Sequence, residues 1–202
     1  MLRILIARHG ETDWNKAGRF LGQSDVGLNR AGWRQAAALA RRLAHEDIQA
    51  IYTSDLPRAQ ETARIIHSQF SCELCEDPDL REISYGAWEG ITDHEIRQQD
   101  PQVLAVWEAD WERQAPPGGE RLAELEQRVR TFLEKIRAGD DERTVLIVAH
   151  GGPLQVLICH VLGLSGRMYW QFHLSNASLS ELRVTSAGGV LMCLNDTCYL
   201  EE

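Results

Sequence analysis

Two apolar runs of this sequence end in a histidine followed by glycine, and these histidines are the first candidates for chemistry. The first run leads into Arg8 and His9, and a later run leads into His150 and Gly151. Apolar runs bounded by glycine are typical of buried strands that feed loops. Ligands of open α/β sheets bind just beyond the carboxyl ends of strands. We therefore expect both imidazoles to face one pocket.

Arginines accompany these histidines in a pattern that suits an anion. Arg8 precedes His9, and Arg58 lies at the start of a helix predicted to follow another strand. A guanidinium supplies charge and a fork of donors, while an imidazole supplies a nucleophile or an acid/base group. Helix N-termini also favour anions, and His150 and Gly151 start a helix of their own. Together these residues predict a phosphate site, because phosphoryl transfer mainly needs positioning and charge neutralisation.

Glu82 is the carboxylate that we assign to proton donation. Beside a phosphate dianion its protonated form is favoured, because like charges resist ionisation. A protonated Glu82 can then donate to the leaving alkoxide. Motifs of competing chemistries, such as a Gly-x-Ser-x-Gly elbow or a Walker glycine loop ending in Lys-Ser/Thr, do not occur in the sequence. The remaining histidines are scattered, so we expect neither a metal nor another cofactor.

The elements that must position these residues alternate between strands and helices. Apolar runs predict strands at residues 2–7, 49–54, 72–75, 144–149, 179–184 and 190–194. Helical periodicity and capping signals predict helices at residues 29–45, 56–70, 120–138 and 153–162. Strands that alternate with long helices imply parallel pairing and an α/β fold.

Residues 91–117 interrupt this alternation. A short helix is predicted from Thr92 or Asp93, Pro101 breaks it, and a helical pattern resumes over residues 103–113. We expect this segment to be a cap-like excursion over the active site. The whole chain, residues 1–202, is predicted to form a single domain.

Composition excludes several classes of function. The 202 residues carry a net charge of −9, which is unsuited to binding nucleic acid or an anionic membrane surface. A pocket for an anionic substrate must then be locally basic. No apolar run is long enough to span a bilayer. The five cysteines are an odd number and form no disulfide framework, so we predict a cytoplasmic protein. Cys72 and Cys75 make a lone C-x-x-C motif.

Several sequence blocks together resemble the histidine phosphatase superfamily, the cofactor-dependent phosphoglycerate mutase-like proteins. The blocks keep the order of that family and run nearly from end to end of the chain. They are RHGET at residues 8–12 with Trp14 and Asn15, YTSDLPRAQETA at 52–63, LRE at 80–82, YGAWEG at 85–90, PGGE at 117–120, VAHGG at 148–152 and LSNAS at 174–178.

The resemblance implies a three-layer α/β/α fold with a mostly parallel sheet of about six strands. It implies that His9 is the nucleophile and forms a phosphohistidine, with Glu82 as the proton donor. The groups that it implies for holding the phosphoryl group are Arg8, Arg58, His150, Asn15 and the Gly151 amide. Gln23 either faces the substrate or only orders its loop. Arg121, where the family often has serine, is either a solvated residue or a contact to an anionic part of the substrate.

Three functions remain open: a phosphomonoester phosphatase, a phosphoglycerate mutase, and an inactive binding module. The inactive module is disfavoured because all the residues of the implied site are present. The mutases that this family includes are longer chains. Their Glu-Arg-His-Tyr-Gly motif has Arg and His where this chain has Ile83 and Ser84, and they have Asn in place of Gly152. We therefore favour the small phosphatase branch, which includes α-ribazole phosphatase-like and broad-specificity enzymes. The expected partner is a small phosphorylated metabolite, and a homodimer is a possible assembly.

Overall fold

One six-stranded sheet organises the computed structural model, which describes residues 1–138 and 142–200. Its strands are β1 (Leu2–Arg8), β2 (Ala50–Thr53), β3 (Glu73–Glu76), β4 (Arg143–Ala149), β5 (Leu179–Thr185) and β6 (Gly188–Asp196). They lie in the order β3-β2-β4-β1-β5-β6. Strands β3, β2, β4 and β1 run parallel, while β5 and β6 are antiparallel. The prediction of a mostly parallel sheet of six strands is confirmed.

Helices cover both faces of this sheet. They are α1 (Asp13–Lys16), α2 (Arg30–Leu43), α3 (Pro57–His67), α4 (Asp93–Gln99), α5 (Pro101–Ala109), α6 (Leu122–Arg137) and α7 (Gly151–Leu162). Leu5 and Ala7 of β1 belong to a core formed with α2 and α3. Ile4 and Ile6 belong to the core formed with α6 and α7. Because successive strand residues point to opposite faces, this alternation produces three layers, as predicted.

Local signals explain most helix starts and two boundary differences. The Asn29 side chain accepts a hydrogen bond from the Gly32 amide and caps α2. The helix predicted to begin at Pro153 begins at Gly151, which places that proline in the first turn. Likewise, Pro101 opens α5 instead of only breaking the preceding helix. Proline is tolerated in a first turn because its missing N–H would have no helical partner there.

The segment predicted to be a cap folds as α4 and α5. Ile96 and Leu104 are buried against Trp88, and the Trp107 ring meets Trp88 edge-on at 5.4 Å between centroids. Beyond α5, Trp111 packs edge-on against the aromatic pair at residues 169–170. The segment therefore packs beside the carboxyl end of the sheet, and its role as a cap stays a prediction.

Helices of membrane-spanning length and apolarity do not occur among the described residues.

Candidate active site

The two histidines lie side by side because β1 and β4 are parallel neighbours. Arg8 pairs with Ala149 in the strand register, so His9 and His150 follow at the same edge. The His9 amide donates to the Ala149 carbonyl at 2.9 Å. The two imidazole centroids are 5.1 Å apart, and both side chains are buried. The structure thus brings together two residues that are separated by most of the sequence.

His9 is held as a neutral imidazole with one free ring nitrogen. Its Nδ1 lies 2.7 Å from the Gly10 carbonyl oxygen. A carbonyl can only accept, so Nδ1 carries the proton and the lone pair of Nε2 remains available. Burial, together with the charges of Arg58 and Arg8, holds the pKa of His9 well below its usual range. A neutral, oriented imidazole of this kind can act as a nucleophile.

His150 is the N-cap residue of α7, but its side chain does not cap the helix. Both of its ring nitrogens are buried without a hydrogen-bond partner among the described residues. Burial is the main cause that lowers the pKa of His150, with contributions from Arg58 and His9. A buried polar group without a partner costs about 1–3 kcal/mol, so both ring nitrogens of His150 are suited to contact a bound ligand.

Two guanidinium groups lie beside these imidazoles, that of Arg58 buried and that of Arg8 half-buried. Arg58 is fully buried; its Nη1 donates to the Ser24 carbonyl at 3.0 Å and its Nη2 to the Gly22 carbonyl at 2.6 Å. Arg8 Nη1 donates to the Leu174 carbonyl at 2.6 Å. Burial lowers the pKa of Arg58 to about 10. Both Nε atoms lack partners, and neither group forms an ion pair with a carboxylate within the described chain, so an anion is the complement that they lack.

Glu82 lies beside these groups, at the N-terminus of α7. Its Oε1 accepts hydrogen bonds from the Ile83 amide at 2.9 Å and from the Gly152 amide at 3.0 Å. The Gly152 amide is farther from Oε2, at 3.3 Å, so Oε2 is the oxygen better placed to hold a proton. Burial raises the pKa of Glu82, although the Ile83 amide and the charge of Arg8 oppose this shift. The carboxyl group is therefore suited to donate a proton.

The other three predicted site residues lie at the same edge of the sheet. Asn176 Nδ2 joins Asn15 to the loop of His9, because it donates both to Asn15 Oδ1 at 3.2 Å and to the His9 carbonyl at 3.1 Å. Gln23 Nε2 donates to the Glu82 carbonyl at 3.1 Å. Gly151 is the first residue of α7, where helical amides have no partner within the helix.

A cavity of about 190 Å³ adjoins Glu82 and contains residues that the sequence reasoning missed. Residues 91–117, the predicted cap, do not line this cavity. Beside Arg8, Glu82, Tyr85, Gly151 and Gly152, its lining residues are Gln155, Tyr169, Trp170, His173 and Leu174. The aromatic residues just before the LSNAS block are the signal that could have identified this wall.

Two buried imidazoles with lowered pKa values, beside two guanidinium groups without an ion-pair partner among the described residues, are suited to binding a phosphate-like anion at the edge of an α/β sheet. The chain belongs to the histidine phosphatase superfamily, whose branch 1 family model matches residues 4–197.

Named relatives fall into phosphatases and a mutase. Phosphoserine phosphatase 1 of Hydrogenobacter thermophilus is 33% identical over 202 residues, covering 100% of this chain and 96% of the relative. A protein named probable phosphoglycerate mutase from Serratia proteamaculans is 38% identical over 190 residues, covering 90% and 85%. The crystal structure of the α-ribazole phosphatase from Shigella flexneri superposes with a TM-score of 0.90 at 29% identity and covers 96% of each chain.

Proposed function

We propose that this protein is a phosphoric monoester hydrolase that works through a phosphohistidine on His9. The observation that carries the proposal is the free Nε2 of a neutral His9, buried next to the uncompensated charges of Arg8 and Arg58. Such a site attracts a phosphate dianion and presents a lone pair to its phosphorus atom. The phosphatases among the relatives support this class of reaction.

The first step forms the phosphoenzyme. The lone pair of His9 Nε2 attacks phosphorus, a P–N bond forms, and the bond between phosphorus and the alcohol oxygen breaks. Glu82 gives its proton to that leaving oxygen, which departs as a neutral alcohol. Arg8, Arg58 and His150 hold the equatorial oxygens and neutralise their charge.

Two further groups complete the phosphoryl site in this proposal. The Gly151 amide, at the positive end of α7, and the Asn15 side chain donate to the same oxygens. Binding of the dianion favours the protonated form of His150, since a nearby negative charge raises the pKa of an imidazole.

The second step regenerates the enzyme. Glu82, now a carboxylate, accepts a proton from a water molecule while the water oxygen attacks phosphorus and the P–N bond breaks. Inorganic phosphate leaves and His9 returns to its neutral form. The same carboxyl group thus acts first as acid and then as base.

The alcohol part of the substrate is proposed to occupy the cavity beside Glu82, against Tyr169, Trp170 and His173. Phosphoserine and α-ribazole 5′-phosphate are the substrates suggested by the names of the relatives. Trp111 packs edge-on against Tyr169 and Trp170 of this wall, and through this contact residues 91–117 would act as a cap. The five cysteines are free thiols, in keeping with a cytoplasmic location.

Phosphoglycerate mutase activity is the second candidate, supported by the Serratia relative. A mutase must protect its phosphohistidine from water long enough to return the phosphoryl group to a substrate hydroxyl. The two functions therefore differ in whether phosphate is released.

The test is a phosphate-release screen over phosphoserine, α-ribazole 5′-phosphate, sugar phosphates and 3-phosphoglycerate, the last with and without 2,3-bisphosphoglycerate. We expect net phosphate release and an acid-labile phosphoenzyme that His9→Ala abolishes. His94→Ala, which changes an exposed imidazole outside the site, is the matched control. Interconversion of phosphoglycerates without phosphate release would establish the mutase instead. Full activity of His9→Ala would overturn the mechanism.

A further inference from the structure

One side chain of helix α6, Arg128, forms hydrogen bonds to the loop that carries Glu82, residues 79–84. Arg128 Nη1 donates to the carbonyls of Asp79 at 2.8 Å and Arg81 at 2.5 Å. Its Nη2 donates to the Glu82 carbonyl at 3.1 Å. Three carbonyls within four residues are thus held by one planar group, which fixes the path of the loop.

Glu120 holds this guanidinium in place. Its Oε1 and Oε2 accept from Arg128 Nε at 2.8 Å and from Nη2 at 3.0 Å. All five N–H donors of Arg128 are therefore engaged. Glu120 also contacts the far end of the loop, since its Oε2 accepts from the Ser84 amide at 3.2 Å and its amide donates to the Ser84 carbonyl at 2.9 Å. Both sides of Glu82 are anchored to this ion pair.

Arg128 and Glu120 hold the backbone on both sides of Glu82 but lie outside the proposed phosphoryl site. Gln23 Nε2 also donates to the Glu82 carbonyl, at 3.1 Å. Arg128 does not line the cavity beside Glu82. A proton donor must lie within hydrogen-bond reach of the leaving oxygen, and a misplacement of about 1 Å can cost about 100-fold in rate.

We propose that Arg128, held by Glu120, is a positioning residue that aims the Glu82 carboxyl group at the leaving oxygen of the substrate. The inference rests on the proposed function, because it presumes that Glu82 donates the proton. Lysine cannot replace this arginine, since an ammonium group cannot span a bidentate carboxylate and three carbonyls.

Leaving-group dependence separates positioning of the acid from general structural damage. Release of an aliphatic alkoxide needs a proton, whereas p-nitrophenolate is stable enough to leave without one. Loss of the proton donor, or of its aim, should therefore slow an alkyl phosphate much more than p-nitrophenyl phosphate. The ratio of the two kcat/KM values in one sample does not depend on the fraction of folded enzyme.

The experiment measures this ratio in the wild type and in four variants. Glu82→Gln is the benchmark, with an expected loss of about 10²–10⁴-fold on the alkyl substrate and a small loss on the aryl one. Arg128→Met should lose about 10–100-fold selectively on the alkyl substrate, mainly in kcat. Glu120→Gln, a milder change, should shift the ratio in the same direction. Arg130→Met, at an exposed position of the same helix, should leave the ratio unchanged.

The outcomes distinguish this inference from the proposed function. A wild type that releases no phosphate from either ester defeats the proposed function. A selective loss in Glu82→Gln together with equal losses on both esters, or no loss, in Arg128→Met and Glu120→Gln defeats only the positioning role. If Arg128→Met does not fold, the ratio in Glu120→Gln decides the question.

Discussion

Replacing His150 with glutamine tests whether the site holds its two imidazoles in their neutral forms. Burial lowers the pKa of both His9 and His150 in the folded protein, while in the unfolded chain both titrate near 6.5. Between the folded and unfolded pKa values the unfolded state binds more protons. The free energy of unfolding must therefore fall as the pH falls below about 6.5.

The size of the effect follows from counting protons. One proton taken up on unfolding changes the free energy of unfolding by about 1.4 kcal/mol per pH unit, and two change it by about 2.7 kcal/mol. His150→Gln should therefore reduce the slope below about pH 6.5 by as much as 1.4 kcal/mol per unit. The substitution also changes packing, but packing shifts the absolute stability and not its slope with pH.

Urea unfolding at a series of pH values between about 5 and 7 measures this slope. More acidic solutions are avoided because carboxylates such as Asp55 and Glu181, whose pKa values are lowered by arginine partners, add a dependence of the same sign. His94→Gln is the control for the loss of an exposed imidazole outside the site. Equal slopes in the wild type and His150→Gln would refute the neutral, buried state of His150.

Three further predictions concern substrate contacts. Trp170 and Trp33 are similarly exposed, at 50% and 49%, but only Trp170 lines the cavity. Trp170→Ala should therefore raise KM about tenfold, whereas Trp33→Ala should leave KM unchanged. The tenfold change corresponds to about 1.5 kcal/mol, which is the contribution of roughly 60 Å² of apolar Trp170 surface covered by the substrate. Arg58→Lys should lower kcat/KM for phosphate release at least tenfold, since each lost hydrogen bond of a charged group is worth about 1.5–3 kcal/mol. Gly22→Ala should lower both Tm and kcat/KM. The backbone of Gly22 has a φ of +49°, and a Cβ there would lie 2.0 Å from Glu89 Oε1. The resulting shift would displace the Gly22 carbonyl, which accepts a hydrogen bond from Arg58. Michaelis–Menten kinetics and thermal unfolding check all three, and unchanged values would contradict the contacts invoked.

Strand ends made the centre of the site predictable. Arg8, His9 and His150 each follow or end an apolar run, and parallel neighbours in a sheet end at the same edge. The continuous apolar run of β1, residues 4–7, is likewise typical of a strand that is buried on both faces. These features depend on residues that are close in sequence, so periodicity and turn signals reveal them.

The surroundings of Glu82 were not predictable in the same way. Arg128 and Glu120 look like solvated charges of an amphipathic helix, and only the tertiary fold brings them to the carbonyls of residues 79–82. Trp170 lies in a segment without helical or strand periodicity. The neutral state of His150 also depends on burial by distant elements, which the sequence does not display.

The segment that leads into strand β5 contacts His9 and Arg8, which precede it by more than 160 residues. The Ala177 amide donates to the His9 carbonyl, and Arg8 is held by the Leu174 carbonyl. At about 5–20 residues per second, a ribosome adds Leu174 roughly 10–30 s after Arg8. Throughout that interval β1 lacks its β5 neighbour, and for most of it β4 as well. Until residues 174–177 have been added, the His9 carbonyl and the Arg8 guanidinium lack these two partners, so the geometry around His9 is completed long after His9 itself is made.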